Sequence, residues 1–167
     1  LIAPSTCLPR SEKSLVKQTI RRLTTILGQV EIEVSPYLFS SDELIDHVTA
    51  PLEDRAENFK EAIRKSDLII SVTGGTGAED ILFKIDKKDY RILRERKPLL
   101  IGFSDFTFLL NEIYYNSRIP AVYFPTLRLG QGNLKKIEDL FFDRPIQYHG
   151  RAWLTEPPRR RLTGIPL

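Results

Sequence analysis

The segment Gly102-Phe103-Ser104-Asp105 could carry out nucleophilic chemistry, because a buried strand is predicted to turn into a helix there. A sharp turn would lift the Ser104 hydroxyl out of the sheet, near a helix N-terminus that favours a developing negative charge. The segment matches the start of the G-x-S-x-G nucleophile motif, with Phe106 in place of the second glycine. Ser104 is therefore a candidate nucleophile. The alternative, which spacing alone favours, is that Ser104 or Asp105 only caps the helix.

A second candidate is the glycine-rich segment Thr73-Gly74-Gly75-Thr76-Gly77, which follows a predicted strand and precedes a predicted helix. It lacks the Lys and Ser/Thr of a P-loop and does not fit G-x-G-x-x-G, so a nucleotide-binding role has weak support. Its glycines could instead let backbone N–H groups approach a neighbouring reaction centre as oxyanion donors. The simpler alternative is a tight turn between strand and helix.

The remaining reactive residue types have no evident partners in the sequence. His47 lies in a Ser- and Asp-rich loop and His149 in the segment that leaves the domain, so both are predicted to be surface residues without metal-ligand spacing. Cys7, with no histidine nearby in the pattern, is predicted to be inert. Arg159, Arg160 and Arg161 are predicted to form a solvated stretch.

Composition excludes several classes of protein. The 167 residues are 41% hydrophobic, with nine Phe, six Tyr and one Trp, which excludes a disordered chain. A single cysteine excludes an intrachain disulfide and fits a reducing compartment. The net charge of +3 comes from residues 151–167, while residues 1–150 are neutral, so a basic nucleic-acid-binding face is not expected. No apolar run is long enough to span a membrane.

Short apolar runs alternate with helical periodicity along the chain, which predicts an α/β fold with a mostly parallel, doubly wound sheet and helices on both faces. The predicted strands are residues 1–3, 30–34, 68–72, 99–102 and 121–124. The predicted helices are residues 11–27, 52–65, 78–84, 90–96, 107–115 and 134–142. Ser11 and Ser14 are candidate caps of the first helix, and Gly28 is its predicted stop.

Polar loops follow three of these strands, at Ser5-Thr6, at residues 73–77 and at residues 103–105. In doubly wound folds, ligands bind beyond the carboxyl ends of the strands, near the switch in strand order. The three loops are therefore predicted to form one site.

Taken in order, these segments resemble the serine L,D-carboxypeptidases of bacterial murein recycling, a family that includes the microcin C immunity peptidases. The resemblance covers nearly the whole chain. It rests on Ile2-Ala3-Pro4-Ser5, the Gly-Gly loop after Ser71-Val72, Ile85-Asp86 with the helix that follows, the run Lys97-Pro98-Leu99-Leu100-Ile101-Gly102-Phe103-Ser104-Asp105, and Asn111-Glu112-Ile113-Tyr114.

This resemblance implies a flavodoxin-like fold, similar to the N-terminal domain of class I glutamine amidotransferases. It implies that Ser104 is the nucleophile and that backbone N–H groups of Gly75 and Asp105 form the oxyanion hole, with Thr73 and Gly74 at substrate-binding positions. The implied reaction removes the terminal D-amino acid from a murein tetrapeptide, or cleaves a related amide, with neither a metal nor an organic cofactor. A small peptide substrate, a cytoplasmic location and a homodimer are also implied.

The sequence departs from the family pattern at three places. Thr73 occupies the position of an arginine that is common in the murein enzymes, and the segment 123–126 (Tyr-Phe-Pro-Thr) replaces a His-Gly-Pro motif. The family completes a Ser-His-Glu triad from a separate C-terminal domain, and neither His47 nor His149 occupies the triad position. We therefore expect a nucleophile-bearing domain over residues 1–144, a linker over residues 145–167 toward such a domain, and an inactive isolated chain.

Two other functions remain open at this point. One is a non-catalytic α/β binding or interaction domain derived from the same family, which the threonine at position 73 and the unassigned triad histidine favour. The other is a flavodoxin-like nucleotide-binding domain that uses the glycine-rich segment.

Overall fold

The computed structural model describes residues 1–39, 48, 50–119, 121–124, 131–142 and 144, and for residues 131–134 and 140 it describes the backbone alone. The helices are α1 (Lys13–Leu27), α2 (Leu52–Lys65), α3 (Lys87–Arg96), α4 (Thr107–Ser117) and α5 (Gln131–Phe141). Short 3-10 helices occupy Arg10–Glu12, Glu79–Lys84 and Ser104–Phe106. None of the described helices combines the length and the apolar character needed to span a membrane.

In the described part of the chain, the sheet has three parallel strands in the order β1 (Leu68–Ile70), β2 (Leu99–Gly102) and β3 (Ala121–Tyr123). The chain start lies beside β1 on the side away from β2, where Ile2 forms a parallel bridge with Ser71. This alternation of strands and helices confirms the predicted α/β class and the parallel sheet.

The predicted strand at residues 30–34 is wrong. Within the described residues, two backbone hydrogen bonds join this region to the chain start, from the Leu1 amino group to the Glu33 carbonyl (2.6 Å) and from the Ser35 N–H to the Leu1 carbonyl (2.8 Å). Alternating residues can predict a half-buried extended segment, but a strand needs a continuous ladder of backbone pairs. For the same reason the predicted strand at residues 1–3 is reduced to the single bridge at Ile2.

Adjacent residues of each strand face opposite sides of the sheet and enter two separate cores. Ile69 and Leu100 belong to a core shared with α2, α3 and α4, whereas Ile70 and Ile101 belong to a core shared with α1 and α5. Strands buried on both faces account for the uninterrupted apolar runs in the sequence. Helices therefore cover both faces, as predicted for a doubly wound sheet.

Local signals explain where several helices begin and end. Helix α1 ends at Gly28, whose φ of +82° suits glycine, as predicted. The serine caps predicted for α1 are wrong, because the 3-10 turn Arg10–Glu12 precedes it and no side chain caps either element within the described residues. Helix α3 begins with a capping box between Asp86 and Asp89.

Candidate active site

Three loops lie side by side at the carboxyl end of the sheet because the segments that lead into them are neighbours in it. We call them the N-terminal loop (residues 4–6), the glycine loop (residues 73–77) and the serine turn (residues 103–105). The N-terminal loop follows Ile2, the glycine loop follows β1, and the serine turn follows β2. The structure thus brings together the three segments that the sequence predicted as one site.

Ser104 adopts a strained backbone conformation at the sharp turn from β2 toward α4. Its φ is +57°, in the left-handed region that non-glycine residues seldom occupy, while Phe103 before it is extended. Ser104 is solvent-exposed although its neighbours Asp105 and Phe106 are buried. A strained strand-to-helix turn that presents an exposed serine hydroxyl is the geometry of a nucleophile elbow.

Close packing between Gly102 and Phe106 forms this turn. A Cβ atom at Gly102 would lie 2.1 Å from Cδ1 of Phe106, so only glycine fits at this position. The Phe106 ring is fully buried and packs edge-to-face on Phe59, with ring centroids 6.0 Å apart. Phe106, which stands where the motif has its second glycine, is therefore accommodated as a core residue beneath the serine turn.

The capping alternative for Ser104 and Asp105 is wrong. Within the described residues, no side chain caps the 3-10 helix Ser104–Phe106 or α4. The Asp105 carboxylate instead accepts a hydrogen bond from the Ser5 hydroxyl (2.8 Å) and another from the Ala78 N–H (3.2 Å). Asp105 is 9% exposed and Ser5 is fully buried. The Asp105 side chain therefore joins the serine turn to the N-terminal loop and to Ala78, the residue after the glycine loop.

Two glycines bring the glycine loop into contact with its neighbours. A Cβ atom at Gly74 would lie 2.6 Å from the Ser104 Cβ and 2.9 Å from its Oγ, so the backbone at Gly74 lies directly against the serine. Gly75 has a φ of +125°, and a Cβ there would lie 2.5 Å from Cγ2 of Thr6. The Thr6 hydroxyl donates a hydrogen bond of 2.5 Å to the Gly74 carbonyl. The N-terminal loop thus holds the glycine loop against Ser104.

The backbone N–H groups proposed as oxyanion donors belong to Gly75 and Asp105. Among the described residues, the N–H groups of Gly75 and Asp105 donate neither to a side chain nor to a backbone carbonyl of a loop or turn. Asp105 lies in the first turn of a helical segment, where N–H groups have no partner within the helix. Both N–H groups therefore lie in segments that meet at Ser104.

Thr73 lies at the start of the glycine loop, where the family resemblance places an arginine in the murein enzymes. Its side chain is buried, with 4% of the residue exposed, and its hydroxyl has no hydrogen-bond partner among the described residues. The backbone carbonyl of Thr73 accepts a hydrogen bond from the Ser71 hydroxyl (3.0 Å). Thr73 therefore presents no charged group to a substrate.

Sequence reasoning missed Arg55, which is buried on α2 and 4% exposed. Its guanidinium donates hydrogen bonds to the carbonyls of Ala50, Pro4 and Gly77, and it lies 3.8 Å from the Asp80 carboxylate. Burial lowers the pKa of Arg55 below its usual range, and nearby carboxylates, Asp80 foremost, oppose that shift. An arginine on the apolar face of a predicted amphipathic helix was the available signal, because a buried cation requires partners.

Not all of the remaining sequence candidates lie among the described residues. His47, His149 and residues 159–161 lie outside the described residues. Cys7 is a free thiol of intermediate exposure. In the described part of the chain, no group of three or more His, Cys, Asp or Glu side chains could hold a metal ion.

Solved structures share this architecture. The chain aligns with an MccF-like protein from Bacillus anthracis with a TM-score of 0.66 at 23% identity, covering 84% of this chain and 43% of that chain. It aligns with the wild-type microcin C7 self immunity protein MccF at a TM-score of 0.62 and 18% identity, covering 89% and 44% of the two chains. A muramoyltetrapeptide carboxypeptidase from Oxalobacter formigenes gives a TM-score of 0.59 at 21% identity, covering 83% and 46%. These similarities establish the fold.

A curated Treponema pallidum (strain Nichols) protein named “Putative carboxypeptidase” is 29% identical over 127 residues, which are 75% of this chain. The match covers 35% of that protein, and the structural matches cover less than half of theirs, so the chain spans only part of the length of its relatives. A profile of the LD-carboxypeptidase N-terminal domain matches residues 1–124, which include all three loops of the site. This chain therefore belongs to the LD-carboxypeptidase N-terminal domain family.

Proposed function

We propose that this chain carries the nucleophile of a serine-type hydrolase, with Ser104 as the attacking residue. The observation that carries the proposal is that Ser104 is an exposed residue on a strained turn, with the backbone at Gly74 packed against it. The left-handed backbone at Ser104 costs about 1–3 kcal/mol, and strain of this size clusters at active sites. Membership of a carboxypeptidase family supports the same function.

In the proposed reaction, the Ser104 Oγ attacks the carbonyl carbon of an amide and gives its proton to a general base. The oxygen of the tetrahedral intermediate takes hydrogen bonds from the backbone N–H groups of Gly75 and Asp105. Collapse of the intermediate breaks the C–N bond, and the leaving amine takes up the proton. Water then hydrolyses the resulting ester and regenerates the serine.

The proposed substrate is a small peptide with a terminal D-amino acid, as in murein, or a related amide. One solved neighbour is named as a muramoyltetrapeptide carboxypeptidase and another as a microcin immunity protein, which supports this range. Because Thr73 replaces the arginine of the murein enzymes, we expect the substrate carboxylate to bind another cationic group. The proposed setting is the cytoplasm, with murein recycling as the process and a homodimer as the assembly.

We further propose that the 167 residues alone turn over little or no substrate. A serine without a general base is a weak nucleophile, and neither His47 nor His149 occupies the family's triad position. Hydrolysis of a murein tetrapeptide by the 167-residue chain, lost in Ser104→Ala, would contradict this expectation. Reading the gene beyond Leu167 for a domain with Glu and His tests the source of the base directly.

The deciding experiment treats the protein expressed from the complete gene with a fluorophosphonate probe, followed by intact-mass and peptide analysis. Attack by Ser104 on the phosphorus expels fluoride, so we expect one adduct on the peptide that contains Ser104. The Ser104→Ala variant should give no adduct while keeping the same thermal unfolding temperature. A folded wild-type protein that remains unlabelled and does not hydrolyse murein tetrapeptide would refute the proposal.

The second candidate function is a non-catalytic binding domain that keeps the fold without the chemistry. The uncharged, buried Thr73 at a substrate-binding position favours it. In that case a murein peptide would bind in a calorimetric titration with equal affinity to the wild-type protein and to Ser104→Ala, and neither would release a D-amino acid.

A further inference from the structure

Arg55 is a buried cation whose hydrogen-bonding partners are mainly backbone carbonyls rather than carboxylates. Its Nε donates to the Ala50 carbonyl (2.9 Å), just before α2 begins. One of its terminal nitrogens, Nη1, donates both to the Pro4 carbonyl (2.8 Å) and to the Gly77 carbonyl (2.5 Å). A single nitrogen therefore joins the N-terminal loop to the glycine loop, while a second nitrogen binds the segment that leads into α2.

Both loops joined by Arg55 carry groups that determine the geometry around Ser104. The N-terminal loop supplies the hydroxyls of Ser5 and Thr6, which bind the Asp105 carboxylate and the Gly74 carbonyl. The glycine loop ends at Gly77, and the next N–H, at Ala78, also binds the Asp105 carboxylate. A shift of either loop would therefore move the glycine-loop backbone relative to the serine turn.

We propose that Arg55 is a positioning residue, which holds the glycine loop and the N-terminal loop together so that the Gly75 and Asp105 N–H groups converge beside Ser104. This inference rests on the proposed function of Ser104. Arg55 itself is buried beneath the loops and does not act on the substrate.

Arginine suits this role better than lysine. Its planar guanidinium offers five donors in a fixed fork, whereas lysine has a single flexible ammonium group. The glycine at position 77, whose φ is +99°, also leaves room for the guanidinium. A Cβ atom at Gly77 would lie 3.1 Å from Nη1 of Arg55. The Asp80 carboxylate, at 3.8 Å and half exposed, supplies opposite charge nearby without replacing the carbonyl partners.

The test compares Arg55→Met and Arg55→Lys with Lys60→Met in the protein expressed from the complete gene. Lys60 is a matched control because it lies on the same helix and forms a largely buried ion pair with Asp89 (3.2 Å), away from the three loops. The measurements are the rate of fluorophosphonate labelling at Ser104, resolved into the maximal rate (kinact) and the half-saturating concentration (KI), and amide hydrogen exchange in residues 73–78.

We expect Arg55→Met to lower kinact at least about tenfold, because small misplacements of catalytic groups are costly. KI should change less than about twofold, since the probe contacts the serine rather than the arginine. Amides of residues 73–78 should exchange faster, and those of α3 should not. Arg55→Lys should recover part of kinact, and Lys60→Met should label at the wild-type rate.

Labelling and loop exchange that match the wild type in both Arg55 variants would overturn the inference, as would equal slowing in Lys60→Met. If Arg55→Met does not fold, the more conservative variant Arg55→Lys is tested instead, by the same labelling and exchange measurements. If the wild-type protein gives no adduct dependent on Ser104, the proposed function fails, and loop exchange alone then decides whether Arg55 positions the loops.

Discussion

At the carboxyl end of the sheet the polar side chains of Ser5, Arg55 and Asp105 are buried, whereas at the amino end the contact between Arg96 and Asp67 is open to solvent. Arg55 and Asp105 bind backbone atoms of neighbouring loops, and the Ser5 hydroxyl donates to the Asp105 carboxylate. The Arg96 guanidinium binds the Asp67 carboxylate at 3.1 Å, but 82% of the Asp67 side chain is exposed. Both ends thus use an arginine and an aspartate, in opposite environments.

The difference shows where this fold specifies geometry. A buried polar group that loses its partner cannot turn to water, so buried hydrogen bonds confine the loops to one arrangement. An exposed ion pair competes with water and contributes about 0–1 kcal/mol. We therefore expect the carboxyl end, which carries strained Ser104, to be held more tightly than the amino end, where the exposed ion pair should tolerate change.

The largest effect should follow Gly74→Ala. The added Cβ would lie 2.6 Å from the Ser104 Cβ, and both atoms are attached directly to backbone, so the loop and the serine turn must separate. A displacement of about 1 Å can reduce a rate about 100-fold, and we expect a loss of that order in labelling of Ser104. The measurement is the labelling rate of folded protein.

Gly28→Ala is the control for Gly74→Ala. Gly28 has a φ of +82°, but no atom lies within 4 Å of the added Cβ, so the change adds backbone strain without a collision. Gly28→Ala should lower stability and leave labelling within about twofold of wild type. Equal loss of labelling in the two variants would show that general destabilisation, rather than contact with the serine, is responsible.

An intermediate effect is expected for Asp105→Ala. The variant keeps the backbone N–H but removes the acceptor of the Ser5 hydroxyl and the Ala78 N–H, leaving two buried donors unpaired. The free energy of unfolding should fall by about 2–3 kcal/mol in urea titrations. Asp105→Asn keeps one oxygen acceptor, so its free energy of unfolding should fall less than that of Asp105→Ala. Equal stability of Asp105→Ala and the wild type would mean that this buried contact does not hold the loops.

The smallest effect is expected for Arg96→Ala at the amino end. Its loss should change the free energy of unfolding by less than about 1 kcal/mol, because the Asp67 partner is mostly solvated. The labelling rate of Ser104 should remain that of the wild type. A larger loss of stability than in Asp105→Ala would contradict the contrast between the two ends.

Periodicity predicted most of the elements, since burial on one or two faces leaves a direct pattern in the chain. The apolar run at residues 99–102 is the strand Leu99–Gly102, and the pattern at residues 52–65 is helix Leu52–Lys65. The strand predicted at residues 30–34 failed because alternation reports exposure and not pairing. The fold rule for parallel sheets located the three loops of the site, and the structure brings them together.

The sequence by itself determined which residues could react and at which end of the sheet they lie, because the apolar pattern and the position of each loop after its strand are local properties of the chain. Only the tertiary structure decided which polar side chains hold the loops of the site together. Arg55 is 51 residues from Pro4 and 22 from Gly77, and Ser5 is 100 residues from Asp105. Hydrogen bonds between such distant residues depend on how the loops pack, and no local pattern encodes that packing.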